Sequence, residues 1–176
     1  MMNLRTPLSK EDILKLRTGD MVYISGEIVT ARDKAHQKAL KDGEFPAEIE
    51  NGALFHAGPL AKKEGDGWKI VAIGPTTSSR MNSLEPDFIK KFKISAIIGK
   101  GGMSPSVVDA MKGNCVYLSM TGGCAALAAK SIKAVKDVHW LELGVPEAVW
   151  VLEAKNLGPL VVAIDSEGNS IYKDEH

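Results

Sequence analysis

The 176-residue sequence contains few cysteines, few aromatic residues, no excess of charge of either sign and no long apolar run. Its two cysteines, Cys115 and Cys124, are too few for a disulfide framework and are not spaced as a C-x-x-C pair. A zinc or iron–sulfur site usually takes about three or four ligands from the protein. We therefore interpret both cysteines as reduced thiols packed like small apolar residues, and predict no metal site in this chain.

The balance of charge argues against nucleic acid as a partner. Lysine and arginine number 22, as do aspartate and glutamate, so the chain has no overall positive field to collect phosphate contacts. No apolar run approaches the roughly 20 residues of a membrane helix, and the first residues lack the apolar core of a signal peptide. We expect a cytoplasmic protein that binds neither nucleic acid nor a membrane, with the terminal KDEH as a charged tail.

Strand and helix patterns alternate in the middle of the chain, whereas strands dominate its first third and its end. The length and a hydrophobic content of 44% suit one domain with a sizeable core, so we predict a single domain over residues 1–176 with a short N-terminal extension. The order of elements indicates an α/β fold with a mixed sheet or sheets. Helices are predicted at residues 9–16, 31–41, 86–92, 105–111 and 125–135, and a β-hairpin at the late sequence SEGN.

The first polar cluster, TARDKAH at 30–36, directly follows a predicted strand. Thr30 can cap the next helix, and Arg32 and His36 then lie four residues apart on one helix face. An anion at this helix end would meet backbone N–H groups together with a guanidinium. The alternative is a plain cap, a surface ion pair between Arg32 and Asp33, and a histidine at the edge of the core.

The second polar cluster, GPTTSSRM at 74–81, also follows a predicted strand. Its four consecutive hydroxyl residues precede Arg80, whose planar guanidinium can bind a carboxylate through two hydrogen bonds. If a helix begins within this loop, Thr76 and Arg80 point the same way. A simple turn with a helix cap is the alternative.

The third polar cluster is GKGG, which carries Lys100 and ends the strand-like stretch KISAIIG. RNA-binding KH domains use such a loop to hold a nucleic-acid backbone, but between two helices. The strand before it and the lack of neighbouring aromatic residues favour an active-site turn that brings Lys100 close to a small ligand. Two arginines, a lysine and a hydroxyl-rich loop at strand ends together suit a ligand with two negative ends, such as a dicarboxylate.

These clusters and the following TGGCAALAA resemble, in order and spacing, the C-terminal domain of class I iron–sulfur fumarases. They equally resemble its stand-alone form, the β subunit of two-subunit fumarate hydratase and L(+)-tartrate dehydratase. The resemblance covers roughly Leu16 to Leu160. It implies a swivelling β/β/α domain and a hydro-lyase that adds water to, or removes it from, a short dicarboxylate.

The resemblance also implies roles for individual residues. Arg32 and Arg80 would bind substrate carboxylates, Thr76 would bind substrate and take part in proton transfer, and Lys100 would reach the substrate as a catalytic cation. Three further residues are expected behind these side chains: His36, Asp33 and Thr77.

The family reaction uses a four-iron four-sulfur cluster as a Lewis acid on the departing hydroxyl. The resemblance places that cluster on a partner α subunit, so this chain alone would bind no cofactor and supply half of an active site. We expect fumarate and malate as substrates, with tartrate as the alternative, and homodimerisation is an additional option. Two other hypotheses stay open: a KH-like RNA-binding module, and a stand-alone metabolite-binding domain without a partner.

Overall fold

The computed structural model describes residues 1–172, and the predicted charged tail at 173–176 lies outside the described residues. Its helices and strands alternate over most of this length. The strands are β1 (Met2–Arg5), β2 (Met21–Thr30), β3 (Ala53–Phe55), β4 (Leu60–Glu64), β5 (Gly67–Ala72), β6 (Ala96–Gly99), β7 (Val116–Ser119), β8 (Ile132–His139) and β9 (Val149–Ile164). The α-helices are α1 (Lys10–Lys15), α2 (Asp33–Asp42), α3 (Glu85–Phe92), α4 (Pro105–Met111) and α5 (Ala125–Lys130).

Five strands of the large sheet form a closed ring. Strands β2, β3, β6 and β7 run parallel to one another in that order. The long strand β9 is antiparallel to β7 at its end and to β2 along most of its length, which closes the ring. Strand β1 pairs with the first half of β2, and β8 extends the sheet from β9. The predicted α/β fold with a mixed sheet is confirmed.

The alternation of side chains along the ring strands divides the core into two clusters. One face contributes residues such as Ile28, Phe55 and Ile98 to a cluster that also contains Trp150. The opposite face contributes Val29, Leu54 and Ile97 to a cluster shared with α2, α3 and α4. Successive residues of a strand point to opposite faces, so one short strand serves both clusters.

Local sequence signals account for several helix ends. Ser9 and Asp12 form a reciprocal capping box at α1, each side chain bonding the other residue's backbone N–H. Gly43 ends α2 with φ of 75°, a conformation that glycine adopts without steric cost. Helix α4 spans Pro105–Met111, as the sequence predicts.

The helix predicted over residues 125–135 is wrong beyond its first half. Helix α5 ends at Lys130, and β8 begins at Ile132 and pairs with the first part of β9. Pairing with β9 outweighs the helix propensity of the alanine-rich segment, because it buries one side of Ile132 and Val135 against the core. The SEGN turn is present: Asp165 N–H donates to the carbonyl of Asn169, and a β-bridge joins Ile164 to Ser170.

Within residues 1–172, no helix has the length and apolar content needed to span a bilayer.

Candidate active site at the carboxyl ends of the parallel strands

The three predicted polar clusters meet at the carboxyl ends of the parallel strands. TARDKAH follows β2, and GKGG follows β6. The GPTTSSR loop follows β5 but lies across both neighbours: Thr76 N–H donates to the carbonyl of His56 at 2.7 Å, and Ser78 N–H donates to the carbonyl of Lys100 at 3.0 Å. Since β3 ends at Phe55, these backbone bonds bring the loop to the edge where β3 and β6 end.

Arg32 lies just before α2 and runs over the turn after β3. Its Nε atom is 3.5 Å from Glu147 Oε1, and this buried atom has no hydrogen-bond partner among residues 1–172. A β-carbon at Gly58 would lie 2.9 Å from Arg32 Nη1, so Gly58 leaves the space through which the guanidinium passes. The side chain as a whole is 23% exposed, so Arg32 is only partly covered by the protein.

Arg80 lies in a short 3-10 helix, Ser78–Met81, that begins within the hydroxyl-rich loop. Its Nη2 and Nε atoms each lie 3.2 Å from Asp33 Oδ2. This ion pair ties the second polar cluster to the first, because Asp33 directly follows Arg32. The Arg80 side chain remains 52% exposed, so it can also bind a ligand at this edge.

Lys100 begins the turn between β6 and α4, so GKGG connects a strand to a helix, as the sequence predicts. Gly101 has φ of 77°, which favours glycine. The Lys100 side chain passes close to Gly122, whose missing β-carbon would lie 3.9 Å from Lys100 Nζ. Within the described part of the chain, Nζ makes no ion pair, so no carboxylate there neutralises this cation.

A fully buried cluster of His36, Glu85 and His56 lies beneath these loops. Both Nε2 atoms are 2.9 Å from Glu85 Oε2, and the three side chains have no exposed surface. The bond from His56 is an aligned hydrogen bond, whereas His36 Nε2 makes an ion-pair contact without hydrogen-bond alignment. His36 Nδ1 donates to the carbonyl of Arg32 at 2.8 Å, which joins the cluster to the first polar loop.

The cluster continues through hydroxyl groups to the GKGG turn. His56 Nδ1 lies 2.8 Å from Ser78 Oγ, which lies 3.0 Å from the Tyr117 hydroxyl. That hydroxyl is 2.8 Å from the carbonyl of Gly101, which can only accept a hydrogen bond. One path of buried polar contacts therefore runs from α2 to the turn that carries Lys100. Its His36–Glu85 link is an ion-pair contact, and its other links are hydrogen bonds.

Burial and charge act against each other in this cluster. Burial favours a neutral Glu85, but the two histidines outweigh it and hold the pKa of Glu85 below its usual range. Burial also opposes charge on His36, yet Glu85 outweighs it and raises the pKa of His36. For His56 burial prevails, and its pKa is lowered. The two histidines hold Glu85 as a carboxylate, and its charge favours a proton on His36 more than on His56.

The whole chain matches a known family. The family model described as "Fumarase C-terminus" matches residues 1–175. The chain belongs to the fumarase C-terminus family. It is 53% identical over 173 residues to a Methanocaldococcus jannaschii protein named "Putative L(+)-tartrate dehydratase subunit beta", covering 95% of this chain and 89% of that protein.

Two further relatives show how the fumarase C-terminus domain occurs in proteins. The "L(+)-tartrate dehydratase subunit beta" of Escherichia coli K12 is 41% identical over 173 residues, covering 97% of this chain and 86% of that protein. The "Putative fumarate hydratase class I" of Geobacillus stearothermophilus is 42% identical over 176 residues, covering 99% of this chain but 34% of that longer protein. The domain thus occurs both as a separate chain and within a longer one.

Among the residues predicted from the sequence of this fumarase C-terminus chain, Arg32, Thr76, Arg80 and Lys100 lie on loops at one edge of the sheet. Asp33 and Thr77 accompany them there: Asp33 binds Arg80, and Thr77 forms a β-bridge with Lys100. His36 is fully buried beneath this edge. The structure therefore brings these loops together, and the catalytic and binding roles of the residues stay predictions.

Two expectations about this region are wrong. Thr30 does not cap α2, because its hydroxyl accepts from Trp150 N–H and donates to the carbonyl of Ala148, which fixes β2 against β9. Aromatic residues do lie beside GKGG: Tyr117 binds Gly101, and the ring of Tyr172 lies against Gly102. Both tyrosines are distant from GKGG in sequence, so the local sequence contained no sign of them.

The sequence analysis did not predict the other residues of the buried polar path, which are His56, Glu85, Ser78 and Tyr117. The only local signals were that Ser78 lies in the hydroxyl-rich loop and that His56 interrupts an apolar stretch at the end of a predicted strand. Glu85 looks in sequence like an ordinary acidic residue of a first helical turn, which is where α3 begins.

The two cysteines do not fit an iron–sulfur cluster in this chain. Cys115 precedes β7 and is fully buried, so burial raises the pKa of its thiol. Cys124 follows the other end of β7, where its thiol donates to the carbonyl of Thr121. Thiols at opposite ends of one strand cannot share a cluster, which usually takes about four thiolates.

Proposed function

We propose that this chain is the β subunit of a two-subunit hydro-lyase that interconverts fumarate and L-malate. The reaction breaks or forms one C–O and one C–H bond of a 2-hydroxy dicarboxylate, with water as the other reactant or product. Membership of the fumarase C-terminus family supports the class of reaction. Relatives of similar length are named as β subunits, which supports an α-subunit partner.

The observation that carries the proposal is the collection of Arg32, Arg80 and Lys100 at one edge of the sheet. Lys100 has no ion-pair partner among residues 1–172, and Arg32 Nε is buried without a hydrogen-bond partner. A buried polar atom without a partner costs about 1 to 3 kcal/mol, so a ligand that satisfies it gains affinity. A dicarboxylate provides two carboxylates for this set of cations.

In this proposal each side chain has a separate task. Arg32 and Arg80 bind the substrate carboxylates, because a guanidinium matches a carboxylate with two parallel hydrogen bonds. Lys100 stabilises the charge that builds on the carboxylate next to the carbon that loses its proton. The Thr76 hydroxyl takes part in the proton transfer, with its loop held by the bond from Thr76 N–H to His56.

The rest of the active site belongs to the partner in this proposal. The iron–sulfur cluster, which would act as Lewis acid on the departing hydroxyl, is assigned to the α subunit, because the two cysteines here do not fit one. Homodimerisation and a cytoplasmic location stay predictions.

L(+)-tartrate is the second candidate substrate. Both β-subunit relatives of similar length carry the tartrate dehydratase name, whereas the fumarate hydratase relative is a longer chain. The proposed cations bind the two carboxylates that fumarate, malate and tartrate share, so the extra hydroxyl of tartrate is assigned to contacts with the partner.

The test is anaerobic co-expression of this chain with the α subunit of the same organism. The purified pair is assayed with malate, fumarate, L(+)-tartrate and D-tartrate, and each subunit is assayed alone. We expect turnover of malate and fumarate by the pair only, and a colourless, inactive isolated chain. Preferred turnover of L(+)-tartrate would select the second candidate. Activity of this chain alone would contradict the two-subunit proposal, and salt-dependent binding of single-stranded RNA without hydro-lyase activity would favour the KH alternative.

A further inference from the structure

We propose that the buried path of His36, Glu85, His56, Ser78 and Tyr117 is a positioning frame that sets the relative placement of the three substrate loops. The inference rests on the proposed function and deepens it. It assigns to these residues no contact with substrate. They act through the backbone of the loops that carry Arg32, Thr76, Arg80 and Lys100.

Each attachment of the frame is a contact with a loop. His36 Nδ1 donates to the carbonyl of Arg32 at 2.8 Å. Ser78 belongs to the second loop and bonds both His56 and Tyr117 by its side chain. The Tyr117 hydroxyl lies 2.8 Å from the carbonyl of Gly101, beside Lys100. All three loops are thus bonded to one set of buried side chains.

The frame is rigid because its atoms have no access to water and little room to move. His36, His56, Ser78 and Glu85 are fully buried, and a buried polar group that loses its partner pays its full desolvation cost. A displacement of one loop therefore breaks a bond that solvent cannot replace. A misplacement of about 1 Å by a residue away from the chemistry can lower the rate about 100-fold.

Gly99 provides independent evidence that the end of β6 is shaped around this path. A β-carbon at Gly99 would overlap Ser78 Oγ, and it would lie 3.1 Å from the Tyr117 hydroxyl and 3.3 Å from His56 Nδ1. Gly99 has no positive φ, so backbone conformation does not require glycine there. The requirement comes from the space that the three polar groups occupy.

The experiment removes one oxygen atom from the frame. Tyr117→Phe deletes the link to Gly101 and keeps the aromatic ring in the core. We expect kcat/KM of the assembled enzyme to fall about 10- to 100-fold. The matched control is Tyr23→Phe in the first half of β2, whose hydroxyl bonds no group within residues 1–172, and which should keep wild-type kcat/KM.

A double-mutant cycle separates a shared frame from independent losses of stability. Glu85→Gln and Tyr117→Phe alter two points of one path, so their combined effect on kcat/KM should be smaller than the product of the single effects. Effects that multiply, or wild-type kcat/KM in Tyr117→Phe, would overturn the frame. If Glu85→Gln does not fold, Ser78→Ala takes its place in the cycle.

A readout on the chain itself distinguishes failure of the frame from failure of the proposed function. In Tyr117→Phe the backbone amide NMR signals of the GKGG turn and of Ser78 should shift, while those of the exposed turn between β4 and β5, which belongs to a separate two-stranded sheet, stay unchanged. Unchanged GKGG signals would overturn the frame whatever the enzyme does. An inactive wild-type pair together with shifted signals would reject the proposed function and support the frame.

Elemental analysis tests whether His36, His56 and Glu85 bind a metal ion instead. Two histidines and a glutamate are also side chains that bind metal ions, and their ligand atoms lie within 4.8 Å of one another. We expect no stoichiometric metal in the purified chain, because the observed spacings are hydrogen-bond distances. A bound metal that is lost in Glu85→Gln would overturn the hydrogen-bonded frame.

Discussion

Two fully buried carboxylates, Glu85 and Asp165, lie at opposite ends of the parallel strands and are satisfied in different ways. Asp165 follows β9 and accepts hydrogen bonds from the backbone N–H groups of Glu167, Asn169 and Thr18. Glu85 instead faces two histidines that come from elements distant in sequence. One carboxylate is held by neutral groups of its own turn and its neighbourhood, and the other by groups that themselves titrate.

The difference separates a stabilising carboxylate from one that also organises a site. Removing charge from Asp165 affects a turn that ends the sheet, away from the loops with Arg32 and Lys100. Removing charge from Glu85 affects His36 and His56, and through them the loops of the proposed site. Substitution of either buried carboxylate should therefore lower stability, whereas only substitution of Glu85 should lower activity.

The largest expected effect is on Thr76, the proposed proton-transfer residue at the Glu85 end. Thr76→Ala should lower kcat of the assembled enzyme about 100- to 1000-fold with a smaller change in KM, as expected for a lost proton-transfer group. Thr18→Ala is the control, because it removes a threonine hydroxyl at the Asp165 end and should leave kcat unchanged. Equal, small effects of both changes would reduce the TTSSR loop to a helix cap.

The second largest effect is expected when the charge of each buried carboxylate is removed in turn. Glu85→Gln should lower the free energy of unfolding by about 3 kcal/mol, because it leaves His36 and His56 without their buried charge partner. Asp165→Asn should cost about 1 to 2 kcal/mol, since neutral backbone donors lose part of their acceptor. Urea denaturation measures both, and kcat/KM should fall in Glu85→Gln alone. A fall in kcat/KM of similar size in Asp165→Asn would show that activity merely follows stability.

The smallest effect is in the pH dependence of stability. His36 has a raised pKa in the folded chain. Its contribution to the free energy of unfolding is therefore complete below pH 6.5 and is lost as the pH rises through the folded-state pKa. His56 has a lowered pKa, so the unfolded chain takes up a proton below pH 6.5 that the folded chain does not, and stability falls there. Glu85 has a lowered pKa, so its contribution to the free energy of unfolding is complete above about pH 4.5 and is lost only as the pH falls further.

The cluster therefore predicts a maximum in the free energy of unfolding near pH 6.5, with slopes of at most about 1.4 kcal/mol per pH unit on either side. In Glu85→Gln burial keeps both histidines neutral, so the decrease between pH 6.5 and 8.5 should disappear. Asp165→Asn should retain it. Denaturation curves between pH 5 and 8.5 test this, and an alkaline decrease that survives in Glu85→Gln would contradict a pKa of His36 raised by Glu85.

Features that depend on neighbouring residues, like the turn around Asp165, could be predicted from the sequence. The capping box of Ser9 and Asp12, the helix end at Gly43 and the turn at SEGN depend on residues near one another in the chain. The three polar clusters were also visible, because strand ends, glycines and cationic residues adjoin in sequence. The resemblance to the fumarase family then predicted that the same loops bind substrate.

The parts that escaped prediction depend on contacts between distant segments. Glu85 meets His56 across 29 positions, and Tyr117 meets Ser78 across 39, so no local pattern reveals either contact. Helix propensity failed at Ile132 for the same reason, since pairing with β9 decides the structure there. Thr30 was assigned to a cap because its true partners, Ala148 and Trp150, lie near the other end of the chain.

The most direct test of the central claim compares the two ends of β6, where Lys100 follows the strand and Lys93 precedes it. Lys100→Met in the assembled enzyme removes the proposed substrate-facing charge and keeps much of the side-chain bulk, whereas Lys93→Met removes a lysine at the opposite end. If Lys100 stabilises charge in the transition state, kcat/KM for malate falls about 100-fold or more in Lys100→Met, with Tm close to that of the wild type, and stays normal in Lys93→Met. Near-normal turnover by Lys100→Met would contradict the account.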